Sequence, residues 1–290
     1  MPISDNGTVT VERIVDAPLA LVWDALTNID HMRVWYFPMM SGFKPEVGFE
    51  FQFLAGDATK SWLHLCKVTE VIHEKRIQYW WRYDGYEGNS LVTFDLTPEG
   101  TGTKVKVTHT GLDTFPKRPE FAMQNFDGGW SELVGSLLKN FVEQGDPASR
   151  TIGATRMLNA PRELVWRVFT EPEHVKQWWG PNGFTNTIHE MNVEVGGEWN
   201  FTMHGPDGTD YRNEIKYEAI EKPWLLVFTH GPTPKFKTIV EFADHGETTE
   251  MKWRGVFDTS EDYSRAVNTF GAIEGQKQTL DRLQDYLNTL

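Results

Sequence analysis

Asp16–Thr27 reads DAPLALVWDALT, and Asn159–Thr170 reads NAPRELVWRVFT. At an offset of 143, six of the twelve positions are identical: Ala17, Pro18, Leu21, Val22, Trp23 and Thr27 in the first stretch. Ordinary composition would give about one identity by chance. The same offset pairs His31 with His174 and Trp35 with Trp178. Each stretch reads as the start of a helix. Asp16, or Asn159 in its place, is a capping residue, the proline sits in the first turn, and Leu19, Val22, Trp23 and Leu26 follow at helical spacing. A second short helix spans 28–35, and WWGPNG (Trp178–Gly183) stops its counterpart.

The correspondence runs outward from there. PEVGFEFQF (Pro45–Phe53) answers NVEVGGEWNF (Asn192–Phe201), and Lys67 answers Lys216. LVTFDL (Leu91–Leu96) answers TIVEFA (Thr238–Ala243), and GWSELVGSLL answers GQKQTLDRLQ near the two ends. The order never changes, and the period far exceeds the roughly 50 residues of solenoid repeats. This is the duplication of a whole domain. Copy one is expected over 1–144 and copy two over 151–290, joined by the turn-rich linker 145–150.

Within a copy the period switches from helical to alternating. Phe49, Phe51 and Phe53 alternate with polar residues, and so do Tyr79, Trp81 and Tyr83, then Val92, Phe94 and Leu96, then Val105, Val107 and His109. HGPDG (His204–Gly208) marks a hairpin in copy two. A last helix carries Phe126, Trp130, Leu133, Val134, Leu137, Leu138 and Phe141 in copy one, and Leu280, Leu283 and Leu287 in copy two. The expected order is β-α-α-β-β-β-β-β-α. A curved antiparallel sheet with a long helix across its mouth buries that pattern and can leave a cavity between the two.

Bulk composition narrows the partners. The net charge is −13. Residues 1–145 carry 13 basic and 19 acidic side chains, and 146–290 carry 15 and 22, so neither half offers a basic stripe for nucleic acid or for an anionic membrane surface. The single cysteine, Cys66, excludes a disulfide framework within the chain. The opening MPISDNGTVT has neither the basic nor the apolar region of a signal peptide, and no apolar run reaches the ~20 residues of a membrane span. A soluble cytoplasmic protein is expected, without membrane insertion. Aromatics are 13% of residues, with 12 Trp, enough to fill cores and also to line apolar pockets.

The DAP…LVW…LT opening, HVKQWWGP, the VGGEWNF run and the MHGPDGTDY hairpin together resemble the AHSA1-like branch of the SRPBCC (START-like) superfamily. The resemblance covers nearly the whole chain, once per copy. It is stronger in copy two, because copy one has WYFP in place of WWGP and lacks the HGPDG hairpin. It implies an α+β fold of tandem helix-grip domains, each a curved antiparallel sheet around a long C-terminal helix with a hydrophobic pocket. Relatives include lipid carriers, hormone receptors, polyketide cyclases and Hsp90 co-chaperones, so fold alone does not choose a function.

Aligning the copies places Trp62, His64 and Cys66 opposite Tyr211, Asn213 and Ile215, with Lys67 and Lys216 on the outer face. His64 and Asn213 should therefore face the hollow, where a polar group orients a ligand or is a hydrogen-bonded interior residue. The cavity candidates are His64, Cys66, Trp81, Tyr83, His109 and Trp130 in copy one, and Trp199, Phe201, Tyr211, Asn213, Tyr217, Phe228 and His230 in copy two. Many of these rings would be core whatever the function. Trp130 and Phe126 are placed to guard the entrance, and Trp35 and Trp178 either flank it or pack helix on sheet. His64, Cys66 and His109 match no zinc spacing, so no metal and no cofactor is expected. No nucleophile elbow, zinc-protease or phosphate-loop motif occurs.

Three readings follow. The first is non-enzymatic binding of a small hydrophobic molecule, with copy two the better binder and copy one filled by Phe49, Phe51 and Phe53. The second is a cyclase- or hydrolase-type enzyme using a pocket His or Tyr. The third, from the family name, is partnership with Hsp90. Eukaryotic activators carry a further N-terminal domain with an NNWHW-type motif that this sequence lacks, which counts against it. The first two separate on whether His64, His109, His204 or His230 meets another titratable group inside a cavity.

Overall fold

The computed structural model describes residues 7–56, 60–231 and 233–290, so most of the N-terminal stretch read for a targeting signal lies outside it. The chain divides into two compact units, 1–147 and 148–290. The first unit runs β1 (Val9–Val15), α1 (Leu19–Thr27), α2 (Ile29–Trp35), β2 (Glu50–Gly56), β3 (Ser61–Ile72), β4 (Arg76–Tyr83), β5 (Ser90–Glu99) and β6 (Gly102–Thr110). It ends in α3 (Met123–Glu132), a π-helical turn (Leu133–Leu138) and α4 (Lys139–Glu143). The second runs β7 (Thr151–Leu158), α5 (Arg162–Thr170), α6 (Pro172–Trp178), β8 (Thr185–Met191), β9 (Glu198–His204), β10 (Asp210–Glu221), β11 (Leu225–Gly231), β12 (Phe236–Asp244) and β13 (Thr249–Phe257). It closes with α7 (Ser260–Phe270) and α8 (Ala272–Leu287).

Both sheets are antiparallel, ordered β1-β6-β5-β4-β3-β2 and β7-β13-β12-β11-β10-β9-β8. The α+β helix-grip arrangement is thus present twice, with the same strand order. Copy two adds β8 at its edge, a strand beyond the expected order. Its sequence alternates poorly, because Ile188 and Met191 are odd-spaced and the ladder to β9 slips between Ile188 and Glu190.

Repeated hydrogen bonds show how deep the duplication goes. The Trp35 and Trp178 indoles donate to the Ala25 and Val168 carbonyls at 2.8 and 3.1 Å. Thr103 and Thr249 donate to the Ala17 and Ala160 carbonyls, each at 2.8 Å. The bulge after Val68 recurs after Tyr217. Both tryptophans are buried between helix and sheet, so they pack the fold and do not flank an entrance.

Four expectations need correction. Asp16 and Asn159 do not cap the helices. The N-cap falls on Pro18 and Pro161, and the Asp16 and Asn159 backbone N–H groups donate instead to Glu143 and Gln284 on the final helices, each at 3.0 Å. Leu137 is 40% exposed, because the π-helical turn rotates the apolar face while Leu138 and Phe141 stay buried. The final helix of copy two is broken at Gly271, whose φ of +62° ends α7 in a left-handed turn. On β12 the ladder aligns Val92 with Thr238, through Tyr79 and Phe228, so Leu91 answers Lys237 and not Thr238. Elsewhere the register is as read: His64 is buried, while Lys67 and Lys216 are exposed beside Glu50 and Glu198.

The candidate cavities

Each unit has a hollow at one end of its sheet. The second unit's measures about 660 Å³. Its floor comes from β10, β11, β12 and β13 through Asn213, His230, Phe236 and Gly255, and its walls from Trp179, Trp253, Phe270 and Gln276. Trp179 and Trp253 stack with centroids 5.2 Å apart and planes at 27°, and His230 stacks on Phe236 at 4.6 Å and 15°. The loop after α6 forms part of the rim. Arg282 holds it by donating to the carbonyls of Gly180 (2.8 Å) and Pro181 (2.7 Å). Gly180 has φ +97°, and a Cβ there would come within 2.6 Å of Met203 Cε on the cavity wall.

The first unit's hollow is smaller, about 420 Å³, between His64, Trp81, Tyr83 and His109 on the sheet and Phe126, Trp130 and Leu133 on the final helix. A hydrogen-bond chain crosses it. Trp130 Nε1 donates to His109 Nδ1 at 3.0 Å. An indole nitrogen only donates, so Nδ1 is unprotonated and Nε2 carries the hydrogen, which reaches Ser90 Oγ at 2.7 Å. Ser90 then donates to the Trp81 carbonyl at 2.8 Å. Every polar atom of His109 is used, and the imidazole is fully buried. Desolvation pushes its pKa down to about 3 and that of His64 down to about 4, and burial raises the Tyr83 phenol to about 12.

The candidates fall into two groups. His64, Trp81, Tyr83, His109 and Trp130 border the first cavity, and Tyr211, Asn213 and His230 border the second. Cys66, Trp199, Phe201, Tyr217 and Phe228 do not. Alternation gives them the inner face and they are buried, but they pack into the core beside the cavities, Phe201 directly across from Asn213 and Cys66 directly across from Trp81. Burial accordingly raises the Cys66 thiol and the Tyr217 phenol. Asn213 sits where His64 does, opposite Phe201 as His64 is opposite Phe53, but is only half-buried. Its Nδ2 donates to the Tyr211 carbonyl and its Oδ1 faces His230. Phe51 and Phe53 are core, Phe53 stacking on His64 at 4.6 Å, Phe49 is half-buried, and His109 and Trp130 line the hollow. Trp179, Trp253 and Gly255 were not singled out from sequence. The signal for Gly255 was its place opposite Thr238 on the last strand, which needs the ladder to be seen.

His64, His109 and His230 form no ion pair among the described residues. His204 pairs with Asp210 at 2.6 Å on the exposed hairpin, where Asp210 itself lines the second cavity. Among the described residues, no three His, Cys, Asp or Glu side chains converge as metal ligands, and no helix is long and apolar enough to cross a membrane.

The family model for activator of Hsp90 ATPase homolog 1-like protein matches residues 16–143 and again 159–288. Among solved structures, the di-domain ARO/CYC StfQ of the steffimycin biosynthetic pathway is 11% identical with a TM-score of 0.63, covering 97% of this chain and 98% of that one. A protein from Arthrobacter aurescens is 22% identical with a TM-score of 0.47, covering 50% of this chain and 90% of that one. Protein MLL2253 from Mesorhizobium loti is 28% identical with a TM-score of 0.40, covering 48% and 98%. Among curated proteins there is no match. The likeness to StfQ is one of fold, two such units in succession.

Proposed function

This chain belongs to the activator of Hsp90 ATPase homolog 1-like family, and from that premise we propose that it binds small, largely apolar molecules in the cavities of its units, the second unit being the better site. The observation that carries the reading is the second cavity itself. At about 660 Å³, walled by paired rings and few polar groups, it falls within the roughly 300–1,000 Å³ of small-molecule sites. The first cavity is smaller and crossed by the Trp130–His109 hydrogen bond.

A second reading, cyclisation or hydrolysis of the bound molecule, draws on the full-length fold match to the ARO/CYC StfQ. The buried imidazoles and the Tyr83 phenol argue against it, which leaves the His204–Asp210 pair at the second cavity as its remaining candidate among His64, His109, His204 and His230. General acid–base catalysis works best with a pKa near the operating pH. Histidines at about 3 and 4 and a tyrosine at about 12 are far from neutrality.

Native mass spectrometry of the purified full chain, looking for a co-purified small molecule, tests binding directly. Thermal shift against fatty acids, flavonoids and polyketide-like compounds extends it. A hundredfold excess over Kd adds about 2.7 kcal/mol of stability, readily seen in the unit that binds. No bound molecule and no shift with any compound would sink the reading. Turnover of a bound compound, lost in His64→Ala or Tyr83→Phe, would favour the enzymatic one.

A further inference from the structure

We infer that the first unit carries a different kind of site on the outer face of its sheet, for a small planar anion whose ring stacks on Trp80 and whose charge meets Arg82. The duplication supplies the control. Lys67 pairs with Trp80 and Trp80 with Leu91, as Lys216 pairs with Thr229 and Thr229 with Lys237. Further along, Leu65 pairs with Arg82 as Glu214 pairs with Gly231. Directly paired side chains share a face of the sheet, so all of these face outward with the exposed lysines. In the second unit that face closes on itself: Thr229 donates to Glu218, and Lys237 pairs with Glu218 at 2.7 Å. The first unit has leucine, tryptophan and leucine where the second has glutamate, threonine and lysine. Trp80 is 48% exposed, with Leu91 directly beside it.

The patch is not flat. A groove of about 590 Å³ crosses it, bordered by Gln52, Leu65, Lys67, Trp80, Arg82 and Asn89. That size falls within the roughly 300–1,000 Å³ of small-molecule sites. Charge decides what fits. Three charged side chains line the groove, and two of them, Lys67 and Glu50, pair with each other at 3.1 Å. The third, Arg82, is exposed and forms no hydrogen bond or ion pair among the described residues. The groove therefore keeps one uncompensated positive charge on a protein whose net charge is −13. Arg82 follows Trp80 by two residues on the same face, about 7 Å along the strand. A guanidinium takes a carboxylate through two parallel hydrogen bonds, and an indole takes a flat ring. A ring bearing a carboxylate meets both at once. Gly231 and Thr229 offer neither contact in the second unit.

The test uses the full chain and a matched pair of probes, 2-naphthoate and its neutral amide 2-naphthamide, titrated under nitrogen-15 NMR. Naphthoate should shift the amides around Lys67, Trp80 and Arg82. It should bind there about fivefold more tightly than the amide at low salt, the upper range for one exposed ion pair, and the preference should fade as salt is raised. Arg82→Gln should make the two probes equal. Trp80→Thr, the second unit's residue at this position, should weaken both about tenfold through the lost stacking. Shifts confined to the second unit or to the inner face of the sheet overturn the inference. So do equal affinities at low salt, or an affinity unchanged in Trp80→Thr. The shifts are read on the unaltered chain, so they decide the matter even if a variant fails to fold. The groove and the cavities lie on opposite faces of the sheet, so failure here leaves the cavity reading standing.

Discussion

Where the first unit has a histidine and a tryptophan hydrogen-bonded across its hollow, the second has a glycine and a glutamine. The strand ladders make His109 and Gly255 equivalent: each lies across from the residue, Val92 or Thr238, that pairs onward to Tyr79 or Phe228. The helix alignment makes Trp130 and Gln276 equivalent, with Gly129 and Gly275 before them. The framework around these positions is the same to the level of single hydrogen bonds, as at Trp35 and Trp178. The hollows differ in size, about 420 Å³ against about 660 Å³, and at Gly255 the exchange is double: Phe236, standing where the first unit has Ser90, comes within 3.2 Å of where a Cβ would be. In one copy a hydrogen-bonded pair of side chains crosses the space, and in the other no equivalent pair does.

That comparison can be broken most forcefully at Trp130. Trp130→Ala should cost the first unit about 3–5 kcal/mol in urea unfolding, from the cavity left behind and the orphaned His109 nitrogen. Gln276→Ala should cost the second unit far less. Comparable losses would mean that the first hollow is not crossed as described.

Acid is the next lever, and its sign follows from the buried histidines. A base whose folded pKa lies below its ordinary 6.5 is neutral in both states at pH 7, so it favours neither. As pH falls through 6.5 the unfolded chain takes up the proton and the folded one does not, so stability drops until the folded pKa is reached. The window runs from 6.5 to about 3 for His109 and to about 4 for His64. At pH 5 each contributes a loss of about 2 kcal/mol. The first unit therefore loses about 4 kcal/mol, and the second no more than about 2 through the half-buried His230. Amide exchange read separately in each unit between pH 7 and 5 checks it; equal losses, or a greater one in the second unit, would contradict it.

The shared framework predicts equality instead. Trp35→Phe and Trp178→Phe each remove one indole donor from a buried carbonyl and should each cost about 1–3 kcal/mol in unfolding experiments. A clear asymmetry would show that the two scaffolds have diverged more than their geometry indicates. The smallest expected effect is Gly271→Ala. No atom lies within 4 Å of the added methyl, so only the φ of +62° opposes it, at about 1 kcal/mol by thermal denaturation.

The repeat, the strand order and the inner and outer faces were legible because they depend on short-range periodicity, and the offset of 143 from Ala25 and Trp35 to Val168 and Trp178 carries through to the atoms. The site was legible only by half. Alternation says that Tyr211 and Tyr217 share a face, but not that one lines a cavity while the other, six residues on, is packed against Phe228. That distinction lies in how far the final helix reaches along the sheet, a long-range property. Gly255 was invisible for another reason: it makes room for the Phe236 ring, which would lie 3.2 Å from a Cβ, and this shows only against His109 in the other copy. The π-helical turn that exposes Leu137 and the edge strand β8 left no pattern to read.

The break at Gly271 gives the second unit a segment that can come away alone. α7 buries only Ala266, resting with Ile152 and Phe257 on a cluster separate from the main core, while Leu280, Leu283 and Leu287 anchor α8 in the core itself. Amide exchange in α7 should proceed by local opening, well ahead of α8. The first unit's final helix runs unbroken from Met123 to Glu143 and has no such separable piece. Both clusters border the second cavity, so an occupant would tie them together, and the slowing of exchange in α7 would report its presence before its identity is known.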